Sequence, residues 1–475
     1  MTSTAGGFDI YGAKLTLKNG TVNANSWGAW VQDGGTIEIC SDAVVNGGLS
    51  QEAKHGGITV QNQGSSADIY GKVTAVNGSA VSGLGNDGDG GTQIIIREGA
   101  DIQSGAGGIY HPQDGSLTVE GGKITAKGTA IEVKSGNVTI SGGDIQSESE
   151  SPSHNVNSNG NSSSGYALAV VDNKDYSGNA SVEILGGKLV GKVGILDDDT
   201  DSENNTNELK ISGGWFSDKQ EEDLCAEGFF PTEDLTGKGV NVPSDAPYSV
   251  RKKHEVTING AVATCAYDGV VYKIPINGYS EDKLYKISAE INGESVAVEK
   301  IAGGYVIKAK DVKGDISVTC VEGFKISYDL NGGSGTAPTD SGIYVAGENA
   351  DIIFDNVPTM EGKVFIGWTN TKNLTENTEI FTPVRVKYDR NVYVLSEESC
   401  KYAVKGATEL YAFYGVLGDA NMNGKLGIED ISLLIDYILN KDTPEDANAI
   451  LADCDCNGKI QIGDISTLID LYLKR

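Results

Sequence analysis

The chain has 475 residues, of which 64 are glycine and 10 are proline, and its formal net charge at pH 7 is −29. This length exceeds one compact domain, so we expect three or four domains. The negative charge argues against nucleic acid as a partner, and the sequence holds no apolar run of the roughly 18 residues that membrane insertion requires.

A glycine-punctuated strand pattern recurs from Lys14 to about Ser217. Each unit is a short alternating apolar strand, a Gly-Gly turn and one or two further strands, as in SLTVEGGKITAKGTAIEVKSG. One such coil cannot bury its own Val, Ile and Leu side chains, whereas stacked coils form a continuous apolar column. The pattern therefore predicts a mainly β protein whose residues 1–250 form a right-handed parallel β-helix with a C-terminal cap. A two-sheet sandwich is the alternative.

The end of this region has a family likeness. The segment ISGGWFSDKQEEDLCAEGFF resembles the end of GG-repeat β-helices in surface proteins of gut Firmicutes. The resemblance implies a cap that shields the open end of the column.

Catalysis in the repeat requires a pair of acids, because glycoside hydrolysis uses two carboxylates roughly 5–9.5 Å apart. Candidate acids on the coil faces do not occur in the paired patterns of pectin-hydrolysing β-helices. Arg97, the arginine of the repeat, has no acids in phase with it, and each of the four histidines is interpreted as a solvated turn or linker residue. The candidate acids are Asp101, Asp114, Glu132, Asp144 and Glu183, and the histidines are His55, His111, His154 and His254.

Two further sets of residues suggest ligands of the repeat. Acidic inserts resemble Ca²⁺ loops in composition, although unspaced acid runs are usually solvated. Aromatic side chains on the coil faces are a candidate platform for sugar rings. The insert residues are Asn86, Asp87, Asp89, Asp197, Asp198, Asp199, Asp201 and Glu203, and the aromatic residues are Trp27, Trp30, Tyr70, Tyr110 and Tyr166.

Two small β modules follow. Residues 251–322 contain short alternating runs separated by Asn-Gly and Gly-Gly turns, which predict an Ig-like sandwich acting as a spacer. The sequence does not decide whether Cys265 and Cys320 in this module form a disulfide or are free thiols.

Residues 323–416 carry an Asn-Gly-Gly turn at Asn331, a Gly-Trp strand at Trp368 and a Leu-Tyr-Ala end at Leu410. This set resembles the Listeria–Bacteroides repeat, a β-grasp-like unit of bacterial surface proteins. An extra stretch from Val384 to Lys405 departs from the family pattern.

The chain ends in a duplicated block. GDANMNGKLGIEDISLLIDYILNK (Gly418 to Lys441) recurs as ADCDCNGKIQIGDISTLIDLYLKR (Ala452 to Arg475). Each copy has oxygen-bearing side chains at loop positions 1, 3, 5 and 12 and glycine at position 6, which is a Ca²⁺-loop pattern. An apolar i, i+3, i+4, i+7 pattern predicts a helix after each loop. The predicted ligands are Asp419, Asn421, Asn423, the Lys425 carbonyl and Asp430 in the first loop, and Asp453, Asp455, Asn457, the Lys459 carbonyl and Asp464 in the second.

A duplicated loop-then-helix unit, here at residues 417–475, resembles the dockerin module of cellulosome-type assemblies. The resemblance implies two bound Ca²⁺ and docking onto a cohesin module of a scaffoldin. Because the second loop offers three carboxylates and the first offers two, we predict that the second binds Ca²⁺ more tightly. The cohesin contacts implied by the resemblance are Ile428, Glu429 and Leu433 in one copy and Ile462, Gly463 and Thr467 in the other.

The sequence thus predicts a secreted, extracellular, non-catalytic component of a cohesin–dockerin complex. Its dockerin would anchor the protein to a scaffoldin, and its β-helix would bind carbohydrate or a cell surface. One alternative is a polysaccharide lyase or glycoside hydrolase of the β-helix class, so enzymatic activity is left open although it is disfavoured. A second alternative is a structural adhesin with a protein ligand.

Overall fold

The computed structural model describes residues 1–53, 55–83, 91–156, 159–173, 176, 179–198 and 207–474. The described chain is mainly β, and its α-helices lie near the C-terminus. These helices are Ile428–Ile438, Asp446–Ala452 and Ile462–Leu473, and two short 3₁₀ turns occur at Glu222–Leu224 and Ala309–Asp311.

The described strands from Thr2–Ser3 to Trp215–Phe216 form a stack with three faces, called here the strand stack. Within each face every strand pairs in parallel with the strand of the next repeat. The long strands Lys14–Ala24 and Thr36–Gly47 bend and contribute to the first and second faces. The first face continues with Ser66–Ile69, Thr92–Ile96, Gly115–Val119, Gly136–Ile140, Ala180–Ile184 and Glu208–Ile211. The second contains Thr2–Ser3, Lys72–Ala75, Asp101–Ser104, Lys123–Ala126, Asp144–Ser147, Lys188–Val190 and Trp215–Phe216. The third contains Phe8–Tyr11, Ala29–Gln32, Ile58–Val60, Val81–Gly83, Ile109–His111, Ile131–Val133, Tyr166–Asp172 and Lys192–Asp197.

The register of the stack explains its alternating sequence. On the first face Ile94 pairs with Leu117, which pairs with Val138, and the same column continues through Val182 and Leu209. All five side chains are buried. Since burying one such side chain contributes roughly 1.5–3 kcal/mol, these columns are the main source of stability in the stack.

The Gly-Gly turns have two separate physical causes. A Cβ on Gly142 would lie 2.3 Å from the carbonyl oxygen of Glu120 in the preceding coil, so the first glycine permits close stacking. Gly143 has a φ of +97°, which residues with a Cβ rarely adopt. Both members of the pair are therefore needed where one coil passes to the next strand.

One strand joins the stack to the next region. Tyr248–Ile258 pairs antiparallel with Trp215–Phe216 at the end of the stack, and with Phe229–Pro231. It then continues into a five-stranded mixed sheet between Ala261–Tyr267 and Ile316–Gly323. The other strands of this second region are Leu284–Ile291 and Glu294–Val296 in that sheet, and Tyr272–Ile274, Val298–Ile301 and Gly304–Ile307 in a second, three-stranded sheet. The described cysteines, including Cys265 and Cys320, are all free thiols.

A third region contains a four-stranded sheet around Trp368, which is fully buried. Its order is Ile326–Asp329, Thr408–Gly415, Val364–Thr369 and Ile380–Phe381, and a further pair is formed by Asn349–Asp351 and Lys401–Ala403. The strands Val384–Asp389 and Val392–Glu397 form a hairpin outside this sheet, and the second of them pairs with Lys459–Ile460 in the C-terminal block.

The interpretation of the histidines as solvated turn or linker residues was wrong for His111, His154 and His254, which all lie in strands. His111 ends the strand Ile109–His111 and is fully buried in the strand stack. His154 and His254 are mostly buried beside Asp198 and Asp268, at 3.1 and 3.3 Å. His111 lies on the inward side of its strand, in line with Val133, so an imidazole occupies the position that valine fills in the next coil.

We expect lower pH to destabilise the stack through His111. Burial lowers the pKa of His111 from 6.5 to about 4. Between pH 6.5 and 4, His111 is therefore protonated in the unfolded chain and neutral in the folded chain. The free energy of unfolding falls by up to about 3 kcal/mol as pH drops towards 4. Urea unfolding monitored by hydrogen exchange in the stack, at pH 7 and pH 4.5, measures this loss. In His111→Leu the free energy of unfolding should differ much less between the two pH values. An equal loss of unfolding free energy in the variant and the unmodified chain would contradict this assignment.

Candidate functional site

The first position of each C-terminal loop is a carboxylate that closes a turn. The amides of Asn423 and Gly424 donate to Asp419 over 3.0 and 2.7 Å. The aligned Asp453 accepts from the amides at the same two loop positions, over 3.1 and 2.8 Å. The repeat in sequence is therefore also a repeat in geometry.

The twelfth position ties each loop to its helix. Asp430 accepts hydrogen bonds from the amides of Asn421 and Gly427, over 3.2 and 2.8 Å. Asp464 accepts from the amides at the equivalent positions over 3.1 and 2.8 Å. Each carboxylate also sits in the first turn of the helix that follows, where negative charge is stabilised by the helix dipole.

The carboxylates at positions 1 and 12 are buried in both loops. Burial is the largest cause that raises the pKa of Asp430, Asp453 and Asp464. In the second loop, Asp453, Asp455 and Asp464 each offer an oxygen within 4.8 Å of the others. Like charges this close are unfavourable without a counter-charge, so the cluster can hold a metal ion.

The remaining predicted ligands lie around the same loops. Asn421 and Asn423 accept loop amides through their side-chain oxygens, and so does Asp455 in the second loop. Asn457 donates its side-chain amide to Asp455 over 2.7 Å. Lys425 and Lys459 are exposed, and only their backbone carbonyls are predicted ligands, because an ammonium group cannot ligate a cation. The turn glycines Gly424 and Gly458 have φ of +89° and +79°.

The predicted helices begin at Ile428 and Ile462, and a third helix was missed. Asp446–Ala452 precedes the second loop, whereas the strand Thr408–Gly415 precedes the first. Because the segment before the first loop is a strand, comparing the two copies of the block does not predict this helix. Its sequence DANAILA has the apolar spacing of a short helix, and Ala449 and Leu451 are buried.

The six residues assigned to partner contact differ in exposure. Ile428 and Ile462 are 65% and 72% exposed, and Glu429 and Gly463 are exposed beside them. Leu433 and Thr467 are half-buried. Leu433 packs against the apolar core of the block, and the Thr467 hydroxyl donates to the Gly463 carbonyl over 3.1 Å.

Arg97 is surrounded by acids, contrary to the interpretation from sequence. Its guanidinium contacts Asp68 over 2.7 Å and Glu120 over 3.0 Å, from the coils on either side, and lies over the Tyr70 ring. Because the coils differ in length, the sequence spacing from Asp68 to Arg97 differs from that between Arg97 and Glu120, and the alignment of the three residues is not apparent from the sequence. The Arg97 guanidinium is thus ion-paired with both the Asp68 and the Glu120 carboxylates.

Glu132 is the most constrained candidate acid. It is fully buried and accepts hydrogen bonds from the backbone amides and hydroxyls of Ser162 and Ser163, over 2.6–3.0 Å. Lys134, also buried, lies 3.6 Å away. The insert that carries these serines therefore covers the third face at this coil, and Glu132 is inaccessible to a polysaccharide.

The other candidate acids are paired or solitary. Asp101 contacts Lys72 over 2.8 Å and Asp144 contacts Lys188 over 3.0 Å on the second face. Asp114 and Glu183 are exposed. In the acidic inserts, Asp197 ends a strand and Asp198 contacts His154, while the others lie outside the described residues. Those others are Asn86, Asp87, Asp89, Asp199, Asp201 and Glu203.

The aromatic candidates do not form one platform. Trp27 and Trp30 contact each other edge to face at 5.2 Å between ring centroids, near the first coils. Tyr110 and Tyr166 are buried, and Tyr70 lies beside Arg97. The structure therefore provides no continuous aromatic row among these five residues.

Comparison with known proteins identifies one segment. Residues 324–394 match the family model of the Listeria-Bacteroides repeat domain, which confirms the resemblance noted around Asn331 and Trp368. No curated protein and no solved structure matches the chain. In the described residues, no helix is long and apolar enough to cross a membrane.

Proposed function

We propose that residues 417–475 form a dockerin module that binds two Ca²⁺ and anchors the protein to a cohesin of a scaffoldin. One observation carries this proposal: the same hydrogen bonds surround two buried carboxylates in each copy of the block. Buried carboxylates need a compensating charge, and a ligand set made only of oxygens suits Ca²⁺.

The ion would supply positive charge among the acids of each loop. Asp419, Asn421, Asn423 and Asp430 would hold it in the first loop, and Asp453, Asp455, Asn457 and Asp464 in the second, together with the carbonyls of Lys425 and Lys459. The chain itself already shapes both loops, because backbone amides fix the carboxylates at positions 1 and 12. Binding would then require little rearrangement of these side chains.

The starts of the two long helices are the proposed cohesin-facing surface. Ile428 and Ile462 expose most of their side chains at equivalent positions, whereas Leu434 and Leu468 of the same helices are buried. Apolar side chains that are exposed in the free protein and become buried at the centre of an interface commonly contribute most of the binding energy. The charge of Glu429 is replaced by Gly463 in the other copy, so the two starts offer a partner different chemistry.

Calcium-dependent capture by cohesins tests this function. We expect the full chain to bind one member of an immobilised panel of cohesin types, and EDTA to abolish binding. Ile428→Asp combined with Ile462→Asp should weaken binding at least 100-fold, since two apolar anchors are lost. Leu374→Asp, at a residue 54% exposed in the third region, is the matched control. Binding that is equal with Ca²⁺ and EDTA would contradict the proposal.

For the strand stack we propose the right-handed parallel β-helix class and a role in binding carbohydrate or a cell surface, with residues 251–322 as an Ig-like spacer. Parallel pairing on three faces supports the class. Polar side chains form a row across coils of the second face, where Thr74 donates to Asn46 over 2.6 Å and Asn46 donates to Asn23 over 2.8 Å. Such a row suits the hydroxyl groups of a sugar.

We also propose that the protein is secreted and has no catalytic activity. The best-placed acids support this, because Glu132 is covered and Asp101 and Asp144 are paired with lysines. A β-helix polysaccharide lyase or glycoside hydrolase is the alternative, which depolymerisation of a pectin, xylan, mannan or starch by the full chain would favour. Failure to bind any glycan would favour an adhesin with a protein ligand.

A further inference from the structure

A hairpin of the third region reaches into the C-terminal block. Its strands, Val384–Asp389 and Val392–Glu397, are joined at Arg390 and Asn391, which have φ of +47° and +71° as a tight two-residue turn requires. The sequence predicted an extra stretch here, from Val384 to Lys405, whereas the family-model match extends into the hairpin and ends at residue 394. The strands of the hairpin form a three-stranded sheet with Lys459–Ile460 and do not pair with the four-stranded sheet of the third region.

The second strand of the hairpin pairs with the second loop. Tyr393 lies opposite Ile460 and Val394 lies opposite Lys459 in an antiparallel pair. The amide of Leu395 donates to the Gly458 carbonyl over 2.9 Å. Loop positions 6, 7 and 8 are therefore held from outside the block. In the first loop the equivalent residues, 424–426, are described and belong to no strand.

Tyr393 anchors the hairpin in the core of the block. Its side chain is 4% exposed and belongs to one apolar cluster with Leu434, Ile460 and Leu468. Its hydroxyl lies 2.8 Å from Asn440 Oδ1, just after the first long helix. One side chain therefore connects the hairpin to both copies of the repeat.

The first strand of the hairpin makes a second attachment. Arg385 contacts the Asp446 carboxylate over 2.8 Å, and the amide of Val386 donates to the same carboxylate over 2.7 Å. Asp446 begins the helix that leads into the second loop. The hairpin thus supports this loop directly at positions 6 to 8 and indirectly through the preceding helix.

We propose that the hairpin is a functional part of the second metal site. It holds Gly458–Ile460 in place before the ion arrives, so the second loop loses less conformational freedom on binding than the first. By linkage, an ion bound in the second loop holds the hairpin against the block to the same extent. This inference rests on the proposed Ca²⁺ binding and adds residues about 60 positions from the loop to the determinants of its affinity.

Hydrogen exchange of the full chain at a series of free Ca²⁺ concentrations tests the coupling, because it gives a separate midpoint for residues 419–430 and 453–464. We expect Tyr393→Ala to raise the midpoint of the second loop at least tenfold and to change that of the first much less. Lys387→Ala is the matched control, since Lys387 lies on the same hairpin, opposite Val394, and its side chain is 65% exposed. It should leave both midpoints unchanged.

Two further readouts keep the test decisive if Tyr393→Ala disturbs folding. Tyr393→Phe keeps the ring in the core and removes only the hydroxyl contacts, and should raise the second midpoint about threefold. In the unmodified chain, exchange of hairpin amides should slow with the midpoint of the second loop. Equal midpoints in the tyrosine variants and the control, or hairpin exchange indifferent to Ca²⁺, would overturn the coupling alone. A chain that binds no Ca²⁺ would overturn the proposed metal function and the coupling together.

Discussion

Asp464→Ala is expected to leave the chain with one Ca²⁺ site instead of two. Asp464 is fully buried, receives two loop amides and lies in the first turn of Ile462–Leu473. Its removal deletes a ligand and frees both amides. At a Ca²⁺ concentration 100 times the dissociation constant, loss of the ion alone removes about 2.7 kcal/mol, and loss of the helix cap removes about 1 kcal/mol more.

Calorimetric Ca²⁺ titration and thermal unfolding, each with and without chelator, measure this effect. Most of the destabilisation should disappear in EDTA, since the ion-dependent part is then absent from both proteins. Asp455→Asn is the matched control, because it gives the second loop the ligand types of the first and should retain two ions with a weaker second site. An Asp464→Ala chain that still binds two ions would refute the ligand assignment.

Glu132→Ala is expected to destabilise the strand stack by about 3–5 kcal/mol, since it removes one partner of a buried ion pair. The change removes the acceptor for the amides and hydroxyls of Ser162 and Ser163, and the carboxylate that Lys134 faces. The segment carrying the serines should detach first, because Glu132 is the acceptor that all four of these groups share.

Denaturant unfolding and hydrogen exchange around residues 159–164 check this expectation. Glu183→Ala, at an exposed glutamate of the same stack, should change stability by less than about 0.5 kcal/mol. Replacing both charges, as Glu132→Leu with Lys134→Met, should recover the part of the loss that comes from burying the Lys134 charge without Glu132, but not the part that comes from the four serine groups losing their acceptor. A single Glu132→Ala variant within about 1 kcal/mol of the unmodified chain would show that the insert is held by other contacts.

Short-range patterns in the sequence were sufficient for the parts of the fold that depend on them. Strand alternation and Gly-Gly turns repeat within one coil, so the inward column that includes Ile94 and Leu117 could be anticipated. The Ca²⁺-loop spacing places Asp419 and Asp430 on one loop for the same reason. The match at residues 324–394 likewise includes the local turn at Asn331 and the strand motif at Trp368 from which the resemblance was predicted.

Contacts between distant segments could not be read in this way. Arg97 meets Asp68 and Glu120 only after coils of different lengths are stacked, and Ser162 reaches Glu132 through an insert. His111 looks like a turn residue because His is seldom placed in an apolar column. Nothing local to Tyr393 indicates that it packs in the core of a block that begins more than 20 residues later.

Calorimetric titration of the full, unmodified chain with Ca²⁺ is the decisive test of the two proposed metal sites. Two ions per chain should bind in unequal steps, and the Asp455→Asn comparison should assign the tighter site to the second loop. A chain that binds no Ca²⁺, or that binds two ions with the tighter site in the first loop, would contradict this expectation.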